Sequence, residues 1–141
     1  MTYIGQTNNN KQKYLYFRTE ATDANDDATG DSALFPVSSL MGMQPTSDTA
    51  LTLYFKSMLR GSGNEGAGDA LANLDNNDSV IVTISANTHL VAMRAIIDAI
   101  NNQNLPSVLI VANDDSGGTE YLEGSGISAC GTISVAVAYA N

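Results

Sequence analysis

Two short apolar runs separated by a helix-period segment constrain this chain more than any other feature. The runs are SVIVTIS at 79–85 and SVLIVAND at 107–114, and both are nearly continuous in apolar residues. Such runs are typical of strands inside a sheet that is covered on both faces. Between them, apolar residues recur at the spacing of one helix face: Leu90, Met93, Ile97 and Ile100. The pattern predicts a strand, a mostly buried helix over 88–101, and a second strand.

Other segments predict the remaining strands. ALTLYFKSM at 50–58 alternates apolar and polar residues, as a strand with one buried face does. KYLYFRTE at 13–20 is apolar on both faces, so we expect a strand that is covered on both sides or lies in an interface. GISACGTISVAVAYAN at 126–141 indicates a long strand or a hairpin. ALFPVSSLMGM at 33–43 has no clean period and contains a proline, so we expect irregular structure or short turns there, packed over the core or under a partner.

This order of elements predicts an α+β fold, a mainly antiparallel sheet with one well-buried helix packed on it. A small α/β unit is the alternative. We expect helix 88–101 to cross a single sheet whose strands are 50–58, 79–85, 107–113 and 131–138.

The length of 141 residues fits one domain. We expect a polar N-terminal arm over 1–12 and a single α+β domain over 13–141, with a flexible Gly-rich loop at 60–77. The net charge of −9 speaks against direct nucleic-acid binding, because phosphates would be repelled. No apolar run approaches the roughly 18 residues of a membrane span, so no membrane partner is expected.

The N-terminal charges and the strand beside them predict an interface. The three basic residues of the first part of the chain are the only charges in residues 1–19, while the remainder is strongly acidic. A basic arm on an acidic body suits contact with further copies of the chain or with an acidic neighbour. A solvated tail is the alternative. The candidate interface residues are Lys11, Lys13, Tyr14, Tyr16, Phe17, Arg18 and Phe35.

Three short motifs suggest chemistry but lack the context that the chemistry needs. GSGNEG at 61–66 matches G-x-G-x-x-G, yet a polar loop follows where dinucleotide binding requires a helix. GISAC at 126–130 resembles a nucleophile elbow, but Cys130 replaces the last glycine. His89, the single histidine, falls in the first turn of the predicted helix. We therefore predict no catalytic residue and no cofactor, and we expect Cys130 to be a small buried apolar residue.

Two acidic segments raise the question of calcium. DANDDATGDSAL at 23–34 places oxygen ligands at alternate positions, but Ala28 and Leu34 stand where an EF-hand needs glycine and glutamate. NDDSGGTEYLEG at 113–124 offers four carboxylates: Asp114, Asp115, Glu120 and Glu123. Such runs are usually solvated turns, so no metal site is predicted, and binding of a cation stays open.

Taken together, these segments resemble the small virion structural proteins of marine tailed phages, such as those that infect cyanobacteria. The resemblance covers residues 33–58 and 78–137 and lies in their overall pattern. The segments that carry it are DSALFPVSSLMGM, ALTLYFKSM, DSVIVTIS, HLVAMRAIIDAINN, VLIVANDD and SGISACGTISVAVA.

The resemblance implies a non-enzymatic protein of the bacteriophage virion, namely a capsid decoration or cement subunit. Its partners would be other virion proteins: further copies of the chain in an oligomer, the major capsid protein, or both. A tail or neck component is the alternative within the same class. A small acidic ligand-binding or enzyme domain is the alternative from another class, and it would show a deep pocket with convergent polar groups.

Overall fold

The computed structural model describes residues 12–58 and 77–135. Over these ranges the chain folds into eight strands, one helix and two 3-10 turns. In chain order they are β1 (Tyr14–Arg18), a 3-10 turn (Asp23–Asn25), β2 (Ser32–Pro36), a second 3-10 turn (Val37–Ser39), β3 (Leu40–Ser47), β4 (Ala50–Lys56), β5 (Asn77–Ile84), α1 (His89–Asn101), β6 (Val108–Asn113), β7 (Glu120–Tyr121) and β8 (Ile127–Ser134).

These strands form two four-stranded sheets. The first sheet has the order β2-β1-β6-β7, and the second has the order β3-β4-β5-β8. The pairing of β1 with β6 is parallel, and the other pairings are antiparallel. The α+β class with mainly antiparallel pairing is therefore confirmed. The expectation of a single sheet is wrong, because α1 carries the chain from β5 in the second sheet to β6 in the first.

A cluster of three phenyl rings lies in the core and joins the two sheets. Phe17 of β1 and Phe35 of β2 come from the first sheet, and Phe55 of β4 comes from the second. Phe35 and Phe55 stack with ring centroids 4.0 Å apart, and Phe17 meets them edge-on at 6.1 and 6.0 Å. The edge-on geometry is one that aromatic rings favour, and it adds to the gain from their burial. All three phenylalanines of the chain therefore hold the sheets together.

The helix lies against the sheets along a narrow stripe, and the expectation that it is well buried is wrong. Ala92, Ile96 and Ala99 are buried, with Ile96 fully inaccessible to solvent. By contrast, the other side of α1 exposes three large apolar residues: Leu90, Val91 and Ile97. The helix is apolar around most of its circumference, so the sequence does not determine which stripe faces the core.

The predicted strands at 13–20, 50–58, 79–85 and 107–114 are confirmed, with slightly different ends. The segment 33–43 contains one short turn, as expected, but the expectation of irregular structure for the rest is wrong, because the residues on either side of this 3-10 turn form β2 and the start of β3. Both strands lie at sheet edges, where a proline costs little because its missing N–H faces away from the neighbouring strand.

Gly131 allows β8 to approach β5 unusually closely. Val80 lies opposite Ile133 and Val82 lies opposite Cys130, so two residues of β8 face Ile81 alone. This is a β-bulge. A Cβ atom at Gly131 would lie 2.8 Å from the carbonyl oxygen of Ile81, which leaves no room for a side chain.

Some expectations lie outside the described residues. They are the arm over 1–11, including Lys11, most of the loop at 60–77 with the GSGNEG motif, and the end of the predicted last strand over 136–141.

Candidate interaction surface

The outer face of the first sheet carries an exposed apolar surface. β1 alternates, so that Leu15 and Phe17 are buried while Tyr14 and Tyr16 point to the opposite face. Register places Tyr16 beside Leu34 of β2 and Ile110 of β6. We call this surface the aromatic face, and its residues are Tyr14, Tyr16, Leu34, Val108 and Ile110.

Two aliphatic residues of the aromatic face are open to solvent. Leu34 is 44% exposed and Val108 is 42% exposed. Large contiguous apolar surfaces on soluble proteins commonly mark contact sites for other molecules. The aromatic face is therefore a candidate interaction surface of the chain.

The outer face of the second sheet is different, because its polar side chains bond to one another. The amide nitrogen of Gln44 donates to the hydroxyl of Tyr54 at 3.0 Å. The hydroxyls of Thr46 and Thr52 are 2.9 Å apart and share a hydrogen bond. These four polar side chains therefore have partners within the chain.

A groove adjoins the aromatic face between α1, β6 and residues 120–124. Its volume is about 820 Å³, and it opens to solvent. Apolar side chains form much of its wall: Val91, Ala95, Leu105, Val108, Ile110 and Leu122. Because Val108 and Ile110 belong to both surfaces, the groove and the aromatic face are continuous.

Four charged side chains also line this groove. Three are carboxylates, Asp98, Glu120 and Glu123, and one is the guanidinium of Arg94. Arg94 and Asp98 are four residues apart on the helix, a spacing that favours an ion pair. Among the described residues, however, the one salt bridge joins Arg18 and Asp26. Arg94 and Asp98 do not form a salt bridge.

Two basic residues that we expected in an interface have partners inside the chain. Lys13 is 5% exposed, and its Nζ donates to the carbonyl oxygens of Asn102 at 2.7 Å and Leu105 at 3.2 Å. A helix leaves its last carbonyl groups without intrahelical partners. Lys13 therefore binds the end of α1 and the loop after it, instead of facing a neighbouring molecule.

Arg18 is likewise directed into its own chain. Its side chain donates to the carbonyl oxygens of Glu20 and Thr22 and pairs with the carboxylate of Asp26 at 3.2 Å. These bonds hold the acidic loop after β1 against the first sheet. The charge of Arg18 is therefore neutralised within the chain, and an interface that used it would require this loop to open.

The remaining predicted interface residues fall into two groups. Phe17 and Phe35 belong to the core, so their side chains cannot contact a partner while the fold is intact. Tyr14 and Tyr16 lie on the aromatic face, where an interface role stays a prediction. The unbroken apolar runs ALFP and VLIV, which give a strand apolar side chains on both faces, were the available signal for the neighbouring Leu34, Val108 and Ile110, which sequence reasoning missed.

Cys130 is a buried thiol beside a carboxylate. The backbone N–H of Cys130 donates to both oxygens of Asp114 at 3.1 Å, and the Tyr121 hydroxyl donates to the same carboxylate. Burial, followed by the negative charge of Asp114, raises the pKa of Cys130 to about 12. Burial and the bond to Asp114 raise the pKa of Tyr121 to about 12. Because a nucleophilic cysteine needs a lowered pKa, this environment suits a structural role.

His89 holds the start of α1 to the turn between β3 and β4. Its Nε2 lies 2.9 Å from the carbonyl oxygen of Ser47 and 3.1 Å from that of Ala50. The nitrogen that faces these two acceptors is the one that donates. Ser128 of the GISAC motif is exposed on β8, and its chain continues as a strand.

The acidic segments form ordered turns. Asp31 accepts hydrogen bonds from the backbone N–H groups of Asp27 and Ala28, and Asp115 accepts one from Gly117. Among residues 12–58 and 77–135, no three acidic, histidine or cysteine side chains gather as metal ligands do.

Comparison with known proteins gives no relative: no family model, curated protein or solved structure matches the chain. The described residues include no helix that is long and apolar enough to cross a membrane.

Proposed function

We propose that the chain is a non-enzymatic structural subunit of a bacteriophage virion, bound to the capsid surface as a decoration protein. The observation that carries the proposal is the aromatic face, which presents Leu34 and Val108 to solvent on the first sheet. Attachment buries this face against other virion proteins, either the major capsid protein or a further copy of the chain. The resemblance in sequence pattern supports the same role.

The placement of the reactive side chains supports a structural role as well. Cys130 is held as a neutral thiol, and His89 bonds to two backbone carbonyl groups. Both side chains therefore take part in packing or hydrogen bonds that stabilise the fold.

The proposal is tested on purified particles of the virus that carries the gene. Mass spectrometry should identify the chain in the particles at a constant copy number, and antibodies against the folded chain should label the capsid of intact particles. Absence of the chain from particles that retain their other structural proteins would refute the proposal. Labelling at the tail or neck would instead favour the alternative location.

A second candidate function is ligand binding, which the groove of about 820 Å³ favours. This volume is in the range of about 300–1,000 Å³ that is typical of small-molecule sites. The groove is open and continuous with the aromatic face, so we consider contact with a protein segment the better interpretation.

A further inference from the structure

The groove contains a strand edge that pairs with no other strand among the described residues. β7 pairs only with Ala112 and Asn113 of β6. Towards the start of β6, residues 108–110 pair with β1 on one side, and no described residue pairs with them on the other. That open side faces the groove, because Val108, Leu109 and Ile110 line it. An open strand edge is a template for an added strand.

The walls of the groove suit an extended peptide chain. α1 contributes Val91 and Ala95 on one side, and Leu122 lies on the other. An added strand presents alternate side chains to opposite faces, so one set would meet these walls. The open stretch of three residues is about 10 Å long at roughly 3.3 Å per residue. It therefore takes a short segment of a partner chain.

The charges that line the groove favour basic residues at the two ends of that segment. Asp98, Glu120 and Glu123 outnumber Arg94, and within the described part of the chain none of the four forms an ion pair. A segment with lysine or arginine beside its apolar residues would complement this rim. A second copy of the chain complements it poorly, because the chain carries −9 overall and two of its six basic residues, Lys13 and Arg18, bond internally.

From this geometry we infer that the groove binds an extended apolar segment with basic flanks from another virion protein, which adds as a strand to β6 beside α1. This inference rests on the proposed structural role and names the partner's chemistry. Main-chain hydrogen bonds to β6 hold the segment, apolar contacts with α1 select its core, and the carboxylates select its ends.

The first test uses synthetic peptides and the full chain labelled with ¹⁵N. The probe KKVTVSVKK has an alternating apolar core and basic ends, EEVTVSVEE reverses the ends, and KKSTSGSKK removes the apolar core. We expect KKVTVSVKK to shift the amide signals of residues 108–110 and to bind at least tenfold more tightly than either control peptide. The difference from EEVTVSVEE should shrink between 0.1 M and 1 M salt, because the Debye length falls from about 10 Å to about 3 Å. Equal binding of the three peptides, no binding, or shifts confined to other strands would overturn the inference.

A matched pair of variants tests the position of the site. Val91 and Leu90 are neighbours on α1, 52% and 57% exposed, but only Val91 lines the groove. Val91→Glu should weaken binding of KKVTVSVKK at least tenfold, and Leu90→Glu should leave it unchanged within twofold. Both variants should fold, because both positions are open to solvent. Equal effects of the two substitutions would overturn the inference.

Reversing the rim charge gives an independent readout. Glu120→Lys combined with Glu123→Lys should invert the preference, so that EEVTVSVEE binds more tightly than KKVTVSVKK. The control combines Asp23→Lys with Asp27→Lys, which changes the same number of charges on an exposed loop away from the groove. Equal effects of the two double variants would show that only the overall charge matters, which would overturn the inference.

Retention on purified particles separates failure of this inference from failure of the proposed function. If the unmodified chain binds particles and Val91→Glu reduces its retention at least tenfold relative to Leu90→Glu, the inference is supported. If the unmodified chain and Val91→Glu are retained equally, the groove is not the docking site, and the structural role stands. If the unmodified chain does not bind particles at all, the proposed function fails, and the inference fails with it.

Discussion

Two adjacent isoleucines on α1 give a quantitative test of how the helix packs. Ile96 is fully buried, and Ile97 is 42% exposed. Ile96→Ala removes atoms from the core and leaves a cavity, so it should lower the free energy of unfolding by about 2–5 kcal/mol. Ile97→Ala leaves no cavity and removes a side chain that is only partly out of water. Full burial of such a side chain contributes roughly 1.5–3 kcal/mol, so a side chain that is a little over half buried gives about 1–2 kcal/mol.

The assay is urea unfolding followed by far-UV circular dichroism, because the chain has no tryptophan. The free energy of unfolding is obtained by linear extrapolation, with the slope compared between variants. Ile97→Asp should also remain folded, whereas Ile96→Asp should not, because it buries an unpaired carboxylate. Equal losses for the two alanine variants, or a larger loss at Ile97, would refute the placement of α1.

Three further predictions concern the core and its polar contacts. Lys13→Met removes two hydrogen bonds from a buried ammonium group and should cost about 1.5–3 kcal/mol in urea unfolding, while the exposed Lys56→Met should cost almost nothing. The pKa values of Cys130 and Tyr121 are raised to about 12 from 9.0 and 10.0, so their contribution to stability is full below pH 9.0 and is lost as pH rises towards 12. Combining Cys130→Ala with Tyr121→Phe should reduce the loss of unfolding free energy between pH 9.0 and 12. An unchanged dependence of stability on pH would contradict this assignment. Gly131→Ala should destabilise the chain by about 1–3 kcal/mol, because its Cβ would contact backbone, and a neutral effect would contradict the close approach.

The helix and most strands follow from the sequence because their patterns are local. The alternation in ALTLYFKSM and the apolar run SVIVTIS each define a strand without reference to distant residues. The helix boundaries were also predictable to within one residue at the start. The division into two sheets was not, because it depends on β1 pairing in parallel with β6 across more than ninety residues of chain.

The candidate surface was predictable only in part. Tyr14 and Tyr16 follow from a strand that is apolar on both faces. Predicting their neighbours on the aromatic face would have required the register of three strands, and no single segment of the sequence determines that register. The expected interface role of the basic residues did not take account of partners within the chain. A lysine or arginine can bond to its own chain as readily as to a neighbouring molecule. Lys13 does so at the end of α1, and Arg18 does so at the acidic loop.

The most direct test of the central claim is retention of the chain on purified particles when the aromatic face is changed. Leu34→Ser combined with Val108→Ser removes its two most exposed aliphatic groups, and Met41→Ser, at a position 50% exposed on β3, is the control. The account predicts that the unmodified chain and Met41→Ser sediment with particles, and that retention of the folded double variant falls at least tenfold. Equal retention of the double variant and the unmodified chain, or no retention of the unmodified chain, would contradict it.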